Sequence, residues 1–499
     1  MNLTVLLESA AQRFGDRVLV GRRSDGLTAA QLRRAALRGA ELVREANAGS
    51  IIYGSGNGPG FVVALFAAAY AGVPLVPARP MLETDELDKL FTAHPHALAV
   101  VEPNASTLWE RSEDRAFTSA QWLAATTRTE GGEPERSVTK SDAPAVIAHT
   151  AGATSSPKGV VLRHAPFTAR VLDTVELGSA APDEAALLGV PIFEASAVAH
   201  LVQNVYAGRR TMLLERPDAE EWLETVRAEG VTSALVVPAL LARILDSDDD
   251  KSTPSLRTLE YGGAPMAPSL IQSARATWPN LDFVHGYWLA ELSSTVAELT
   301  RDDYQAAFAS WDPFVRARLG SVGRPVPGVE IQIRNSAGAV VDPGERGRIW
   351  IRGAHVWVEY IAGGPALGED GFFDTRDVGF FDEDGYLFIS GRSDDVIVTS
   401  GESIAPWGVE AVLRRHPAVS DVAVVGLPDA AGDQQNVAVV VLRSGMQVAA
   451  DELRRYVGAT QPFLKRPDVI VFWMELPRTA TGKLLRRNVV DQLREVAGW

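Results

Sequence analysis

Before Gly320 the chain alternates short apolar runs, often rich in β-branched residues, with longer segments whose apolar positions repeat at the helical period. The short runs predict strands, and segments such as Ala29–Ala46 and Asp218–Glu229 predict helices. Strands that alternate with helices are typical of parallel sheets covered by helices, so we expect an α/β fold. The predicted strands of this region include Ser50–Tyr53, Ala97–Val101, Ala145–Ala148, Thr211–Leu214 and Ser233–Val237.

Around Gly320 the pattern changes to closely spaced strands and turns. Val329–Arg334, Arg348–Arg352 and Tyr386–Ile389 are predicted strands, and they indicate a small β-rich subdomain. From Gly391 onward the pattern predicts a compact α+β domain, for which about 105 residues suffice. Its predicted strands and helices are strand Asp395–Val398, helix Trp407–Arg415, strand Val422–Val425, strand Val437–Leu442, helix Asp451–Val457 and strand Val469–Trp473.

The length of 499 residues is too great for one hydrophobic core, so two or three domains are expected. The longest apolar run without charge or proline, Phe61–Val73, covers about 13 residues and is too short to span a bilayer. We interpret it as a buried helix. Glu8 and Arg13 interrupt any signal-like apolar core at the N-terminus, so we predict no secretory signal and a cytoplasmic location.

The charge balance and the absence of cysteine exclude several classes of partner and of chemistry. Acidic residues number 63 and basic residues 48, which gives a net charge of −15 and argues against a nucleic-acid-binding protein. The chain has no cysteine, which excludes disulfides, thiolate zinc sites and a cysteine nucleophile. Any thioester chemistry must therefore proceed without an enzyme thiol.

One segment with candidate chemistry follows the predicted strand that ends at Ala148. Small residues, hydroxyl groups and one lysine after a strand suit a loop whose backbone N–H groups face phosphate oxygens. It is not a Walker A loop, because Pro157 precedes the lysine and Gly159 follows it. A solvated Ser/Thr turn would also explain this segment alone. It reads His149-Thr150-Ala151-Gly152-Ala153-Thr154-Ser155-Ser156-Pro157-Lys158-Gly159.

Two further segments lie about 20 residues apart, Glu260–Met266 with paired glycines and His285–Glu291 with Tyr287 and Trp288. Paired glycines let a flat ring lie directly on the backbone. An aromatic residue and a carboxylate at fixed spacing are suited to stacking a base and holding a magnesium ion. Either segment alone could equally be a tight turn with a buried aromatic residue.

The last two segments carry charged groups. Asp377 could accept hydrogen bonds from both ribose hydroxyls. Arg392, 15 positions further on, could close over the same sugar or its phosphate. Pro477–Arg487 forms a loop that presents Lys483 before a basic helix. Taken alone, Lys483 is better explained as a solvated surface charge.

Together, in this order and spacing, the segments resemble the adenylate-forming superfamily that includes acyl-CoA synthetases, luciferases and the adenylation domains of peptide synthetases. The resemblance extends from Ala71-Gly72-Val73-Pro74 to Lys483. Its densest matches lie in Gly391–Glu410 and His416–Gly426.

The resemblance implies a large N-terminal domain, residues 1–391, and a small mobile C-terminal domain, residues 392–499, with a hinge near Asp394. It also implies a two-step reaction. A carboxylate attacks the α-phosphate of Mg-ATP, which gives an acyl-adenylate and pyrophosphate. A thiol, usually that of CoA, then displaces AMP. ATP or AMP, Mg²⁺ and CoA are the expected cofactors, and no enzyme nucleophile is needed.

By residue, the resemblance assigns Asp377 and Arg392 to the ribose, Glu291 to magnesium, and Lys483 to the charge that develops between the acyl oxygen and the α-phosphate. The remaining nucleotide-binding positions that it implies are Thr150, Gly152, Thr154 and Lys158 in the phosphate loop, and Gly262, Gly263, Ala264, Pro265 and Tyr287 around the adenine.

The phosphate contacts depart from the family pattern. Ala151, Ala153 and Ser155 replace a serine, a threonine and a glycine, and Ala290 replaces a threonine that normally touches the α-phosphate. Each missing charge-assisted hydrogen bond is worth about 1.5–3 kcal/mol. A protein that no longer adenylates its substrate, but still converts a supplied acyl-adenylate into a thioester, is therefore one alternative.

Two positions bear on the acyl group. Trp288 stands where most members of the family have glycine, and the functional interpretation is a shortened or redirected acyl pocket, with simple core filling as the alternative. Glu194 replaces a histidine common in CoA ligases, and it could bind the ammonium group of an amino acid.

Our interpretation is an AMP-forming acyl-CoA ligase of small or compact carboxylic acids, with no nucleic-acid or membrane partner. A stand-alone amino-acid adenylation enzyme that loads the thiol of a separate carrier protein is a rival, which the preference for amine-bearing acids would reveal. A non-catalytic sensor of nucleotide or acyl-CoA is a rival of another class. Lys483 argues against the sensor, which has no need of that lysine.

Overall fold

The computed structural model of the protein describes residues 1–80, 84–102, 115–128, 140–150, 158–215, 218–289, 291–292, 294–353, 356, 358–361, 363–399, 402–428, 434–461, 465–479 and 482–497. The phosphate-loop positions Gly152 and Thr154, together with Ala151, Ala153, Ser155 and Ala290, lie outside these residues.

The helices agree with the apolar periodicity of the sequence. The segment predicted as Ala29–Ala46 forms a helix that begins after Thr28, whose side chain and that of Gln31 form a reciprocal capping box. The helices are α1 (Thr4–Phe14), α2 (Ala29–Glu45), α3 (Pro59–Ala71), α4 (Thr84–Ala93), α5 (Ser119–Thr126), α6 (His164–Thr174), α7 (Ala195–Ala207), α8 (Ala219–Glu229), α9 (Pro238–Asp246), α10 (Pro268–Thr277), α11 (Arg301–Ala309), α12 (Pro313–Ala317), α13 (Pro406–Leu413), α14 (Ala450–Thr460) and α15 (Arg486–Ala497).

Most of the predicted apolar runs form strands, with bounds within a few residues of those predicted, and the structure adds further strands that were not predicted. The strands are β1 (Val18–Val20), β2 (Leu27–Thr28), β3 (Ser50–Gly54), β4 (Leu75–Pro77), β5 (Ala97–Val101), β6 (Ala116–Phe117), β7 (Pro144–Thr150), β8 (Lys158–Arg163), β9 (Ala185–Gly189), β10 (Arg210–Leu213), β11 (Ser233–Val236), β12 (Thr258–Gly262), β13 (Asp282–Leu289), β14 (Ser294–Leu299), β15 (Arg324–Pro325), β16 (Val329–Arg334), β17 (Gly347–Gly353), β18 (Glu359–Tyr360), β19 (Gly364–Pro365), β20 (Phe373–Phe381), β21 (Leu387–Arg392), β22 (Ile397–Thr399), β23 (Glu402–Ile404), β24 (Val419–Pro428), β25 (Gln434–Leu442) and β26 (Val469–Trp473).

The described residues form two compact units. Unit one comprises those within 1–150, 158–330 and 352–373, and unit two comprises those within 331–351 and 374–497. Unit two thus includes most of the β-rich subdomain as well as the C-terminal α+β segment. The domain boundary between residues 391 and 392 stays a prediction.

Unit one contains two large sheets. A nine-stranded sheet has the order β15-β14-β13-β12-β11-β9-β10-β1-β2, and its centre from β1 to β13 is parallel. An eight-stranded sheet has the order β19-β18-β8-β7-β4-β3-β5-β6, with a parallel part from β7 to β6. The α/β class with parallel-rich sheets is therefore confirmed.

The predicted buried helix is also confirmed. In α3 every residue from Gly60 to Tyr70 is buried, and the helix packs against α2. A helix that is apolar on all sides belongs inside a protein core or a membrane. Among the described residues, no helix combines the length and the apolar character that crossing a membrane requires.

Unit two contains the four-stranded sheet β16-β17-β20-β21, the pair β22-β23 and the three-stranded sheet β24-β25-β26. The strands β24 and β25 are buried on both faces. Val422, Val424 and Val440 pack with residues of α13 and α14, whereas Ala423 and Val439 pack with residues of α15. This double burial explains why these strands read as nearly continuous apolar runs.

One predicted strand of unit two begins too early. Asp395–Val398 was expected to be extended, but Ser393–Asp395 forms a 3₁₀ helix and β22 begins only at Ile397. The polar run Ser393-Asp394-Asp395 has no apolar residue to place against a core, and its side chains pair with arginines instead.

Candidate active site

The glycine-rich segment after β12 lies beside β13 at the carboxyl edge of the nine-stranded sheet. Gly262 and Gly286 are register partners on these parallel strands, which places Tyr287 next to the glycine pair. Gly263 has a φ of +79°, a left-handed conformation that favours glycine. Ala264 and Pro265 continue the turn. Because ligands bind outside the carboxyl ends of parallel strands, this edge suits a flat base.

The Trp288 indole lies on the two glycines. A Cβ atom at Gly262 would clash with Cη2 of the indole and with the Gly286 carbonyl oxygen, so a side chain at Gly262 has no room. At Gly263 the nearest indole atom, Cζ2, lies 3.6 Å from the position of a Cβ atom. Trp288 thus occupies space directly over the backbone of Gly262 and Gly263.

A half-buried ion pair lies next to this indole. His200 Nε2 on α7 and Glu260 Oε1 on β12 are 2.8 Å apart, and the rings of His200 and Trp288 meet edge-on with centroids 5.9 Å apart. Burial alone lowers the pKa of His200, but the charge and hydrogen bond of Glu260 outweigh it and raise that pKa. Burial alone raises the pKa of Glu260, and His200 reverses this shift.

Sequence reasoning missed both residues of this pair. One sequence signal could have identified Glu260, because it is the one charged residue in the strand Thr258–Gly262. Glu194, which was predicted to be a candidate ammonium ligand, lies at the N-terminal end of the helix that carries His200. The Glu194 backbone N–H donates to the Pro191 carbonyl oxygen at 3.0 Å, and Glu194 is half-buried.

Glu291 follows β13 and is half-buried. The Tyr360 hydroxyl lies 3.4 Å from Glu291 Oε1. Tyr360 is held on β18 next to Glu359, which pairs with Arg163 of β8 at 2.7 Å. One oxygen of the Glu291 carboxylate, Oε1, therefore accepts a hydrogen bond from Tyr360. The other oxygen, Oε2, has no hydrogen-bond partner within the described part of the chain.

The two ends of the predicted phosphate loop are partner residues, since Thr150 on β7 pairs with Lys158 on β8. His149 precedes the loop, and its Nε2 lies 3.3 Å from His94 Nε2. Burial lowers the pKa of His149, and burial with the neighbouring His149 lowers the pKa of His94 to about 4. Both imidazoles are therefore neutral near pH 7, so that one ring can donate to the other.

In unit two, Asp377 on β20 and Arg392 on β21 are register partners. Arg392 Nη1 donates to Asp377 Oδ1 at 3.2 Å, and the Asp377 backbone N–H donates to Thr375 Oγ1 at 3.0 Å. Asp377 is 8% exposed, so its carboxylate is largely shielded from solvent. The predicted ribose-binding residues are thus brought together.

Asp394, the predicted hinge residue, lies between two arginines. Arg376 Nη1 approaches Asp394 Oδ1 at 3.3 Å, and Arg392 Nη2 approaches Asp394 Oδ2 at 3.5 Å. Arg376 itself has a φ of +61°, which is uncommon for a residue with a side chain. The structure therefore links the predicted hinge to the predicted ribose site through Arg392.

The exposed Lys483 lies in a tight loop that its neighbours brace. Lys483 N–H donates to Thr479 Oγ1 at 3.0 Å, and the Thr479 N–H donates to the Lys483 carbonyl oxygen at 2.8 Å. Leu485 N–H donates to the Pro477 carbonyl oxygen at 2.9 Å, which closes the loop. The Lys483 backbone is therefore fixed, while its side chain faces solvent.

Arg486 anchors this loop, and sequence reasoning missed it. Its guanidinium contacts Glu410 Oε1 at 2.6 Å, Asp395 Oδ2 at 3.0 Å and the Val424 carbonyl oxygen at 2.7 Å. Glu410 is 3% exposed. The loop after Lys483 is thereby joined to α13, to β24 and to the 3₁₀ helix that contains the predicted hinge residue.

Comparison with known proteins matches two families. Residues 7–361 match the AMP-binding enzyme family, and residues 408–483 match the AMP-binding enzyme C-terminal domain.

Among curated relatives, the chain is 31% identical over 480 residues to a feruloyl-CoA synthase of Amycolatopsis sp, with 93% of each chain covered. It is 30% identical over 448 residues to a fatty acid–[acyl-carrier-protein] ligase of Streptomyces coeruleorubidus, with 86% of this chain and 83% of the relative covered.

Among solved structures, the fold is similar to that of an O-succinylbenzoate Coenzyme A synthetase from Bacillus subtilis in complex with ATP and magnesium ion. The TM-score is 0.82 and the identity 25%, and the match covers 97% of this chain and 99% of that one.

Proposed function

The chain belongs to the AMP-binding enzyme family, and from this premise we propose that it joins a compact carboxylic acid to CoA, with ATP converted into AMP and pyrophosphate. The predicted family and the activity of an AMP-forming acid–thiol ligase are confirmed by the relatives. The roles of individual site residues, the compactness of the acid and the choice of CoA are our proposals.

The nucleotide is recognised by preformed groups. Asp377 accepts hydrogen bonds from the ribose hydroxyls, and Arg392 holds the Asp377 carboxylate in place. Gly262 to Pro265 and Tyr287 offer a flat backbone and an aromatic ring to the adenine. These groups act whenever AMP is part of the bound molecule, in both half-reactions.

The residues present also fit a magnesium ion. Mg²⁺ is typically bound by one or two carboxylates together with substrate phosphates and water, not by a cage of protein ligands. Glu291 supplies one carboxylate whose Oε2 has no partner in the described part of the chain. No cluster of three or more His, Asp or Glu residues that could hold a metal occurs among the described residues, which agrees with this mode. When bound, the ion neutralises charge on the phosphates.

Lys483 stabilises the transition state of the first half-reaction. A substrate carboxylate oxygen attacks the α-phosphorus, and the bond from phosphorus to the pyrophosphate oxygen breaks. Negative charge accumulates on the oxygens around phosphorus, where an ammonium group is most valuable. The backbone hydrogen bonds of Lys483 with Thr479 position this ammonium group without fixing its rotamers.

In the second half-reaction the thiol sulfur attacks the acyl carbon, and the bond from that carbon to the AMP oxygen breaks. The thiol proton is released, and AMP leaves as the anion. No covalent enzyme intermediate is required, which agrees with a chain without cysteine.

The single observation that carries catalysis, in contrast to mere nucleotide binding, is the braced loop that presents Lys483. A sensor of AMP has no use for a lysine held by Thr479 and anchored through Arg486 to Glu410. The test is a hydroxylamine-trapping screen of carboxylic acids with Mg-ATP. Hydroxamate formation that requires both the acid and ATP supports the proposal, and its absence across a broad panel of acids contradicts it.

A carrier-protein thiol is a second candidate acceptor, because one relative at 30% identity is a ligase of that type. The test is competition between CoA and a phosphopantetheinylated carrier protein for the same adenylate. Glu194 makes a further distinction, since amino acids should be strongly preferred over their deaminated analogues if this carboxylate binds an ammonium group. Equal use of both would exclude that role.

A further inference from the structure

The ion pair between His200 and Glu260 has no part in the mechanism above. His200 Nδ1 lies 2.8 Å from the Ser196 carbonyl oxygen, which only accepts hydrogen bonds, so Nδ1 carries a proton. Nε2 faces the Glu260 carboxylate at 2.8 Å. Because both ring nitrogens face acceptors, the geometry favours a doubly protonated, positively charged imidazole.

The pair borders the same space as the Trp288 indole. The indole atoms Cζ3 and Cε3 lie 2.8 and 2.9 Å from the position that a Cβ atom of Gly286 would occupy, and Glu260 Oε1 lies 3.6 Å from that point. Trp288, His200 and Glu260 thus form one continuous wall, which we call the polar wall.

The polar wall offers hydrogen-bonding groups that the protein leaves unused. The side chain of Glu260 is 26% exposed, and its Oε2 has no hydrogen-bond partner in the described part of the chain. The Trp288 Nε1–H group likewise has no partner among these residues. An apolar acyl group against this wall would leave the Glu260 acceptor without a partner, which is unfavourable.

The charges around the polar wall are balanced. His200 neutralises Glu260, and the neighbouring Glu298 on β14 is near Arg170 of α6. The pKa of Glu298 is raised, because burial and the charges of Glu260 and Asp303 outweigh the lowering by Arg170 and His200. A second cation therefore gains little from Glu260, and a neutral hydrogen-bond donor is the better match.

We propose that Glu260 determines specificity by accepting a hydrogen bond from a hydroxyl group on a short carboxylic acid, while His200 is the positioning residue that holds the Glu260 carboxylate. This inference rests on the proposed function, because it places the acyl group against Trp288. The substrate class is accordingly short hydroxy acids, in preference to alkanoic acids of the same size.

The first experiment compares acids of equal heavy-atom number by ATP–pyrophosphate exchange: 3-hydroxypropionate, butyrate and β-alanine, and then glycolate with propionate and 4-hydroxybutyrate with pentanoate. We expect the hydroxy acid to exceed its alkanoic counterpart at least about 10-fold in kcat/KM at the best length, because a hydrogen bond to a charged group is worth about 1.5–3 kcal/mol. Equal rates, or a preference for β-alanine, would overturn the inference.

The second experiment replaces both charges together, with His200→Leu and Glu260→Leu, so that no buried charge is left alone. We expect the preference for hydroxy acids to disappear while butyrate is still activated. The matched control is Arg210→Met with Glu229→Leu, which removes another buried ion pair of unit one, at 2.7 Å. The control should keep the preference for hydroxy acids. Persistence of that preference in the Leu double variant would contradict the inference.

The outcomes separate this inference from the proposed function. Exchange with alkanoic and hydroxy acids at equal rates contradicts the inference alone. No exchange with any acid contradicts the proposed function and the inference together. The comparison of hydroxy acids with alkanoic acids uses the unmodified protein, so it tests the inference even if the Leu double variant does not fold.

Discussion

Arg392 and Asp377 face each other across two neighbouring strands, and the guanidinium Nη1 lies 3.2 Å from the carboxylate Oδ1. The Thr375 hydroxyl fixes the Asp377 backbone and donates to the Ile349 carbonyl oxygen at 2.8 Å. The pair is therefore assembled before any nucleotide binds. A preformed pair reduces the ordering cost of binding, which suits the ribose-binding role proposed for Asp377.

Asp377→Asn should weaken nucleotide binding in both half-reactions, because the neutral amide forms weaker hydrogen bonds with the ribose hydroxyls. We expect KM for ATP to rise roughly 10- to 100-fold, as for the loss of a charge-assisted hydrogen bond. Steady-state kinetics with ATP and with acyl-adenylate measure this effect. Asp374→Asn is the control on the same strand, since Asp374 pairs with Arg348. Similar effects of both substitutions would contradict the assigned role.

Lys483→Ala should lower adenylate formation by several orders of magnitude and leave ATP binding nearly intact, because the ammonium group acts mainly in the transition state. Single-turnover hydroxamate formation and equilibrium ATP binding separate the two effects. The control is Arg487→Gln, an exposed cation close by in the chain. Unchanged turnover in the Lys483 variant would refute the role of this loop.

Trp288→Gly should widen the range of accepted chain lengths, because the indole fills the space over Gly262 and Gly263. We expect kcat/KM for longer acids to rise about 10-fold or more, in line with the 1–3 kcal/mol that one methylene contributes in a pocket. The control is Trp311→Gly, since Trp311 is 94% exposed. An unchanged substrate profile would mean that Trp288 is core packing.

The protein should lose stability as the pH falls from about 6.5 to 4. Burial lowers the pKa of His94, His164 and His285 to about 4 in the folded protein, from about 6.5 in the unfolded chain. The unfolded state therefore takes up protons first, and the free energy of unfolding decreases over this range by on the order of 2 kcal/mol per histidine.

Urea unfolding at pH 7 and pH 5 measures this loss. His164→Gln should reduce the difference in unfolding midpoint between the two pH values, because glutamine takes up no proton. His164 Nε2 is buried and has no hydrogen-bond partner in the described part of the chain. Equal midpoints at pH 7 and pH 5 would contradict the account.

The sequence was sufficient for those features that local chemistry encodes. Apolar runs predicted β3 and β5. Because β24 and β25 are buried on both faces, their sequences are nearly continuous apolar runs, which made these strands easy to predict. The motifs also identified Asp377 and Arg392, which the strand register brings together.

Features that depend on distant contacts were beyond prediction. His200 and Glu260 are 60 residues apart, and only the packing of α7 near β12 makes them partners. Arg486 contacts Glu410 across 76 residues, so its anchoring role has no local signature. The start of β22 was missed for a related reason, since Asp395 binds Arg486 and does not continue the strand.

The altered phosphate loop bears most directly on whether this chain activates its own substrate. Ala151, Ala153 and Ala290 have no side-chain hydroxyl to offer to a phosphate, while the chain keeps Lys483 and Lys158. A protein that still adenylates can hold the triphosphate through backbone N–H groups and these lysines. A protein that had lost adenylation would still need its ribose and adenine groups.

The most direct measurement compares thioester formation from the acid with ATP, Mg²⁺ and CoA against thioester formation from the synthetic acyl-adenylate with CoA alone. We predict acyl-CoA from both mixtures, more slowly from ATP than from the adenylate. Acyl-CoA from the adenylate alone would contradict the central claim that this chain activates its own substrate.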